Sequence, residues 1–344
     1  MIKLEPKDKA SADALFSESI VIDALGGVVR GEGGSKLTPY KAGVTAVNVT
    51  FASPHASFFQ TIKAMYLLFT NVEGLDDKLC LIKTANDVHA AKKAKKLGIL
   101  LGLQDGSSLD GDLTLLDILY RLGLRVMTLT YNEHNLLGDG CMELHDGGLT
   151  SFGKQVIREM NRLGIVLDLS HSSEKTTLDA MEVTTKPPIF SHSNPYELTP
   201  SPRCITDQQI KKAASLGGVI GVSVYSPMCY TDPNAQPTLG DFLDRVTYIV
   251  ELVGIDHVGI GTDIFEDEDD NPILWRATTK RRYPEMVGNF ERKNIYVKGF
   301  ETHAEFPNVV YGLKDRGYSD CDIKKVLGGN FLGVLRDNFR ESLS

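Results

Sequence analysis

Leucine-glycine or valine-glycine pairs recur at Leu97-Gly98, Leu122-Gly123, Leu163-Gly164, Leu216-Gly217 and Val253-Gly254, each between a stretch of helical period and a short apolar run. Glycine at such a point takes the left-handed conformation that ends a helix. Repeated use of this punctuation predicts a repeated β/α unit. The apolar, β-branched runs number eight: Ser19 to Leu25, Gly43 to Phe51, Gly98 to Gln104, Leu124 to Thr130, Ile165 to His171, Pro188 to His192, Gly218 to Val224 and His257 to Thr262. Helical period separates them, with candidates at Ala85 to Lys96, Thr114 to Leu122, Ser151 to Leu163, Asp207 to Leu216 and Asp241 to Val253. Such alternation builds a parallel sheet covered by helices, an α/β class. Eight strands are the count of a single (β/α)8 TIM barrel, whose functional residues gather at the C-terminal strand ends. A doubly wound sheet would want a glycine-rich phosphate loop after the first strand, and Gly26-Gly27 and Gly33-Gly34 lack that spacing.

A chain of 344 residues suits one domain of this kind, so residues 1–344 are expected to form a single barrel without an internal linker. Residues 264–298 are the least periodic, with an acidic run from Glu266 to Asp270 followed by Lys280-Arg281-Arg282; they are expected to form a solvated loop over the barrel mouth. Residues 308–344 are expected to be C-terminal helices, with Asn308 to Leu335 forming two that are separated by Arg316-Gly317-Tyr318.

The 37 basic and 45 acidic residues give a net charge of −8, which offers no footprint for nucleic acid or an anionic membrane surface. The charged start, MIKLEPKDKASADALF, lacks a secretory apolar core, and no later stretch has the apolar length of a membrane span. The five cysteines form no C-x-x-C pair and leave one over in any pairing. A cytoplasmic protein without structural disulfides is therefore expected, acting on a small molecule. A homodimer is compatible with this reading.

Two runs end alike, in Leu169-Ser170-His171 and Phe190-Ser191-His192, 21 residues and one β/α step apart. Both imidazoles should then project from neighbouring strand ends into the mouth, the arrangement of a metal site. The run Gly259-Ile260-Gly261-Thr262-Asp263 brings a carboxylate to the same rim, as a metal ligand or a general base. Arg203, just after the sixth strand, can grip a carboxylate in a bidentate pair. His55, His89, His134, His145, His257 and His303 have no such setting and are expected to be ordinary.

With these residues in view, the chain resembles the membrane (renal) dipeptidase family of binuclear zinc hydrolases. That family carries D-L-S-H, S-H-S-N, R-N-x-x-D and G-I-G-x-D in order; here they read Asp168 to His171, Ser191 to Asn194, Arg203 to Asp207 and Gly259 to Asp263. Thr128-Leu129-Thr130 and Leu327-Gly328-Gly329-Asn330 also match, so the likeness runs from about residue 19 to 337. The departures are confined to the metal and oxyanion machinery. Where the family has D-G-H-x-D, whose histidine and second aspartate hold one zinc, this chain has Asp23-Ala24-Leu25-Gly26-Gly27. Gln104 stands in place of a bridging glutamate, and Tyr131 in place of a histidine that polarises the scissile carbonyl. Asp105 should point away from the site, because side chains alternate along a strand.

The resemblance implies a second-metal half built on His171 and His192, with Arg203, Tyr225 and Gln104 toward the substrate and Asp263 and Tyr131 as catalytic groups. At most one zinc ion per chain is expected, and none is an alternative. The expected function is acid/base chemistry, hydrolytic or related, on a small carboxylate-bearing amide or amino-acid-like substrate. A catalytically silent homologue that binds a ligand or partner, and an active zinc dipeptidase, are the alternatives.

Overall fold

The computed structural model describes residues 6–27, 37–265 and 279–340. Eight parallel strands form the barrel: β1 (Ile22–Asp23), β2 (Ala46–Thr50), β4 (Leu97–Leu103), β5 (Leu124–Thr128), β6 (Val166–Asp168), β7 (Ile189–Phe190), β8 (Val219–Val222) and β9 (Val258–Ile260). They pair in that order. Each coincides with one of the eight runs read from the sequence, β4 beginning one residue before its run at Leu97. The ring closes where Ala24 N–H donates to the Ile260 carbonyl at 2.9 Å and Asp263 N–H to the Leu25 carbonyl at 2.9 Å.

A ninth strand, β3 (Leu79–Leu81), was not expected. It pairs with residues Leu97 to Ile99 of β4, beneath the half of β4 that β5 takes, and the β4–β5 register shifts between Leu101 and Gly102. Three residues are too few to carry a periodic signal. One glycine reading is also corrected. Gly123, Gly164, Gly217 and Gly254 all have positive φ at helix ends, but Gly98 lies inside β4 and Lys95, at φ 56°, closes the preceding helix. Gly98 is small for a different reason: a Cβ there would stand 2.6 Å from the Ile82 side chain.

The helix Ser151–Leu163 shows how the outer layer forms. Thr150 caps it, its hydroxyl accepting from Gly153 N–H at 2.9 Å. Val156, Ile157, Met160 and Leu163 recur at helical spacing and are buried. Burial of each contributes roughly 2 kcal/mol. The C-terminal part contains helices Pro307–Asp315 and Asn330–Asn338, joined by a short helix Asp320–Lys324 and a π-helical turn at Lys325–Gly329. The Leu327 to Asn330 segment lies at the N-terminal end of the barrel. There a Cβ on Gly328 would meet the Ile20 carbonyl at 2.7 Å, and Asn330 donates to the Ile255 and Val258 carbonyls. It plugs the bottom and is remote from the mouth.

Inside the barrel the side chains are layered. Ile22, Ala46, Leu100, Val126, Val166, Ile189 and Val219 form an apolar floor with Phe331. Above them come Thr128, Asp168 and Ser191, all buried and joined by hydrogen bonds. The switch from apolar floor to polar upper layer marks the functional end. Room there is set by Gly221 and Gly261, whose added Cβ atoms would fall 2.0 and 1.7 Å from the Ser191 carbonyl oxygen. Gly221 and the second glycine of G-I-G-T-D, Gly261, therefore let the chain pack closely on Ser191, while Gly259 makes room for the Phe331 ring. All five cysteines are free. Among the described residues no helix is long and apolar enough to cross a membrane. Residues 266–278 of the expected mouth loop, including Glu266 to Asp270, lie outside the described residues, and the described part, 279–298, is not simply solvated: it contains the short helix Pro284–Val287 and buries Met286, Val287, Phe290 and Val297.

Candidate functional site

His171 and His192 converge at the mouth, their Nε2 atoms 2.8 Å apart. Each imidazole is held from behind. His171 Nδ1 lies 2.7 Å from Asn132 Oδ1, an acceptor only. His192 Nδ1 lies 2.7 Å from Ser191 Oγ, whose own proton goes to Asp168 Oδ2 at 2.5 Å. Both Nδ1 atoms must therefore carry the proton in the neutral rings, leaving two Nε2 lone pairs directed at one another. Burial and the positive charge of Arg203 hold both pKa values well below the usual imidazole range, and His192 depresses His171 further. Two facing lone pairs repel unless a cation or a proton lies between them.

The backbone at this rim is unusual. His171 (φ 65°), Asn132 (φ 61°), Asp263 (φ 60°) and His55 (φ 60°) are non-glycine residues in the left-handed region. Such conformations cost of order 1 kcal/mol or more each and concentrate where side chains must be aimed. The Tyr131 ring stacks on His171 with centroids 4.0 Å apart and planes 23° from parallel.

Arg203 is buried, its Nη2 donating to the His192 carbonyl at 3.1 Å. Among the described residues no carboxylate lies within ion-pair reach of it. Tyr131 and Tyr225 share its surroundings. Burial pushes both phenols above their ordinary pKa, the negative charge of Asp263 adds to this, and Arg203 opposes it. Asp263 thus stands near two protonated phenols with a guanidinium opposite. Tyr131, Tyr225 and Asp263 each keep partial exposure.

Gln104 is nearly buried on the upper inner face of β4, and its amide donates to Thr50 Oγ1 at 2.9 Å. Asp105 beside it accepts from His55 N–H, Ser107 N–H and Asn135 Nδ2, and so braces neighbouring loops. Leu25 is fully buried, and a Cβ on Gly27 would stand 2.7 Å from the Phe265 ring. Asp23 accepts from Thr262 N–H at 2.8 Å and Thr262 Oγ1 at 2.7 Å, with His303 Nε2 at 3.1 Å. His303 is accordingly a wholly buried partner of Asp23. Among the described residues no group of three or more His, Cys, Asp or Glu is placed to hold a metal ion.

Sequence reasoning did not single out Asn132, Cys141 or Ser191 as parts of the site. Asn132 and Cys141 belong to a loop without periodicity, and only folding brings them against His171; Cys141 N–H donates to the His171 carbonyl at 2.8 Å. Ser191 and Asp168 did carry a signal, since each precedes a site histidine within a strand-end motif.

The family model for membrane dipeptidase (peptidase family M19) matches residues 41–285. Dipeptidase tcpJ of Claviceps purpurea is 31% identical over 286 residues, 82% of this chain and 61% of that protein. Dipeptidase aclJ of Aspergillus oryzae is 29% identical over 281 residues, 80% of this chain and 60% of that protein. The chain thus spans about three fifths of the length of these relatives. A crystal structure of an amidohydrolase from Pseudomonas aeruginosa matches with a TM-score of 0.86 and 31% identity, over 95% of this chain and 99% of that one. The barrel, its closing order and its strand-end motifs all agree with the family match, and the chain belongs to the membrane dipeptidase family, M19.

Proposed function

We propose that this protein is a hydrolase acting on a small amide that bears a carboxylate, of dipeptide or N-acyl amino acid type, with at most one divalent cation, held by His171 and His192. The observation that carries this reading is the convergence of two unprotonated Nε2 atoms whose rings are fixed from behind. That donor set suits a zinc-like ion with open positions. When bound, such an ion supplies Lewis-acid polarisation of a carbonyl. Leu25, and Gly27 packed against Phe265, support a single-cation site, because neither offers a ligand where the resemblance has two.

The remaining groups supply binding and proton transfer. Arg203, buried and with no ion pair to a carboxylate among the described residues, supports recognition of a substrate carboxylate by a forked, charge-assisted pair. Asp263 serves as general acid and base. Tyr131, kept protonated by burial and by Asp263, donates to the oxygen that gains charge in the transition state.

Two measurements test the proposal. Elemental analysis of protein purified without chelator should give no more than one zinc-like equivalent per chain, and two equivalents resistant to dialysis would overturn the single-cation reading in favour of a binuclear dipeptidase. A screen of dipeptides and N-acyl amino acids should find turnover that falls roughly 10²-fold or more in Asp263→Asn and in Tyr131→Phe with affinity nearly unchanged. Turnover that survives in both variants refutes these roles. Absence of turnover with tight binding retained would make the protein a silent binder.

A further inference from the structure

We infer that Ser191 is a positioning residue that couples the buried Asp168 carboxylate to His192, and so sets how tightly the imidazole pair holds a cation. The inference rests on the proposed cation site and adds a distinct element to it. Asp168 is almost wholly buried and accepts four hydrogen bonds: from Thr128 Oγ1 at 3.0 Å, Ser170 N–H at 3.0 Å, Ser191 N–H at 3.0 Å and Ser191 Oγ at 2.5 Å. Ser191 has one hydroxyl proton, and the carboxylate takes it. The hydroxyl oxygen can then only accept from His192 Nδ1, at 2.7 Å.

The chain carboxylate, hydroxyl, imidazole has a direction. Negative charge on Asp168 polarises the hydroxyl, the hydroxyl oxygen becomes a better acceptor, and the imidazole is held as the Nδ1–H tautomer with a more basic Nε2. His171 has a different support, the neutral amide oxygen of Asn132. The two ligands are therefore unequal, with His192 the stronger donor. Ser191 is also fixed in place: Gly221 and Gly261 bring β8 and β9 against its carbonyl, and Ser170 Oγ lies 3.3 Å from its hydroxyl.

The test compares Ser191→Ala with Thr128→Val in the full chain. Both remove one hydrogen bond to Asp168 Oδ2, but only the first cuts the path to His192. Zn²⁺ affinity is read by competition with a chromophoric chelator, and the His192 tautomer by ¹⁵N NMR of the metal-free protein. Ser191→Ala should weaken Zn²⁺ binding roughly 10- to 100-fold and abolish the pure Nδ1–H signature of His192. Thr128→Val should stay within about twofold of wild type and keep the signature, because Ser191 still links Asp168 to His192. Equal losses in both variants, or wild-type affinity and tautomer in Ser191→Ala, overturn the inference. Wild-type protein that binds Zn²⁺ no better than a His171→Ala, His192→Ala double variant overturns the cation site, and the tautomer measurement still decides the relay.

Discussion

On the β6 and β7 side of the mouth, polar groups are satisfied from behind and leave their reactive faces directed at a common space. On the β1 and β9 side they satisfy one another. His171 and His192 turn Nε2 atoms forward while Asn132 and Ser191 hold the other ring nitrogens. Asp23, Thr262 and His303 instead bond to one another at the closing seam, with Leu25 buried and Gly27 close to the Phe265 ring. The same ingredients, a carboxylate, a hydroxyl and an imidazole, occur on both sides. Their connectivity differs: Asp168 is linked through Ser191 to His192, whereas Asp23 is met by Thr262 and His303 at the seam. One side is the candidate ligand site, and the other fastens the seam of the barrel.

This contrast can be broken from the seam first. Asp23→Ala removes the acceptor shared by Thr262 N–H, the Thr262 hydroxyl and His303, leaving buried donors unmet. A loss of about 3 kcal/mol in urea denaturation is expected. A loss below about 1 kcal/mol would mean that the cluster is not what closes β1 on β9.

Arg203 sharpens the comparison with opposite signs on stability and binding. Arg203→Ala should weaken substrate or ligand affinity by a few kcal/mol, roughly 10²-fold, and Arg203→Lys should not restore it, because a point charge cannot reproduce the fork. Arg203→Leu should leave thermal stability unchanged or raise it by about 1 kcal/mol, since a buried cation with no anionic partner among the described residues costs folding energy. Calorimetric affinity equal to wild type would assign Arg203 to structure and remove the distinction between the two sides.

The smallest effect belongs to the outer edge of the functional side. Glu133 receives Arg282 in a two-point pair at 2.9 and 2.8 Å and also the Tyr283 hydroxyl at 3.1 Å, joining the loop after Tyr131 to the segment after β9. Glu133 and Arg282 are substantially exposed, so Glu133→Gln should cost no more than about 0.5 kcal/mol in denaturation. A much larger loss would show that this contact, like the Asp23 cluster, is part of the framework.

Much of the barrel was legible because barrel strands are buried on both faces and helices on one, and both leave periodic marks in a sequence. The eight runs, four of the five glycine stops and the helices Thr114–Leu122 and Ser151–Leu163 could be read directly. Strand β3 escaped because it is only three residues long. The site was legible where its residues close a strand, as His171, His192 and Asp263 do. The register of a strand and the handedness of a β/α unit place those positions at one end whatever the loops do.

Tertiary structure alone decided how these residues are used. Asn132 lies 39 positions from His171, and His303 lies 280 from Asp23, so no local pattern announces either pair. Periodicity records which face of an element is buried, and thereby determined the barrel and the end that carries its chemistry. It carries no record of which buried polar groups meet across the fold, because those contacts depend on loop paths and side-chain rotamers that packing selects. Which partners each buried carboxylate meets, Thr128 and Ser191 for Asp168 or Thr262 and His303 for Asp23, was settled only when the barrel closed.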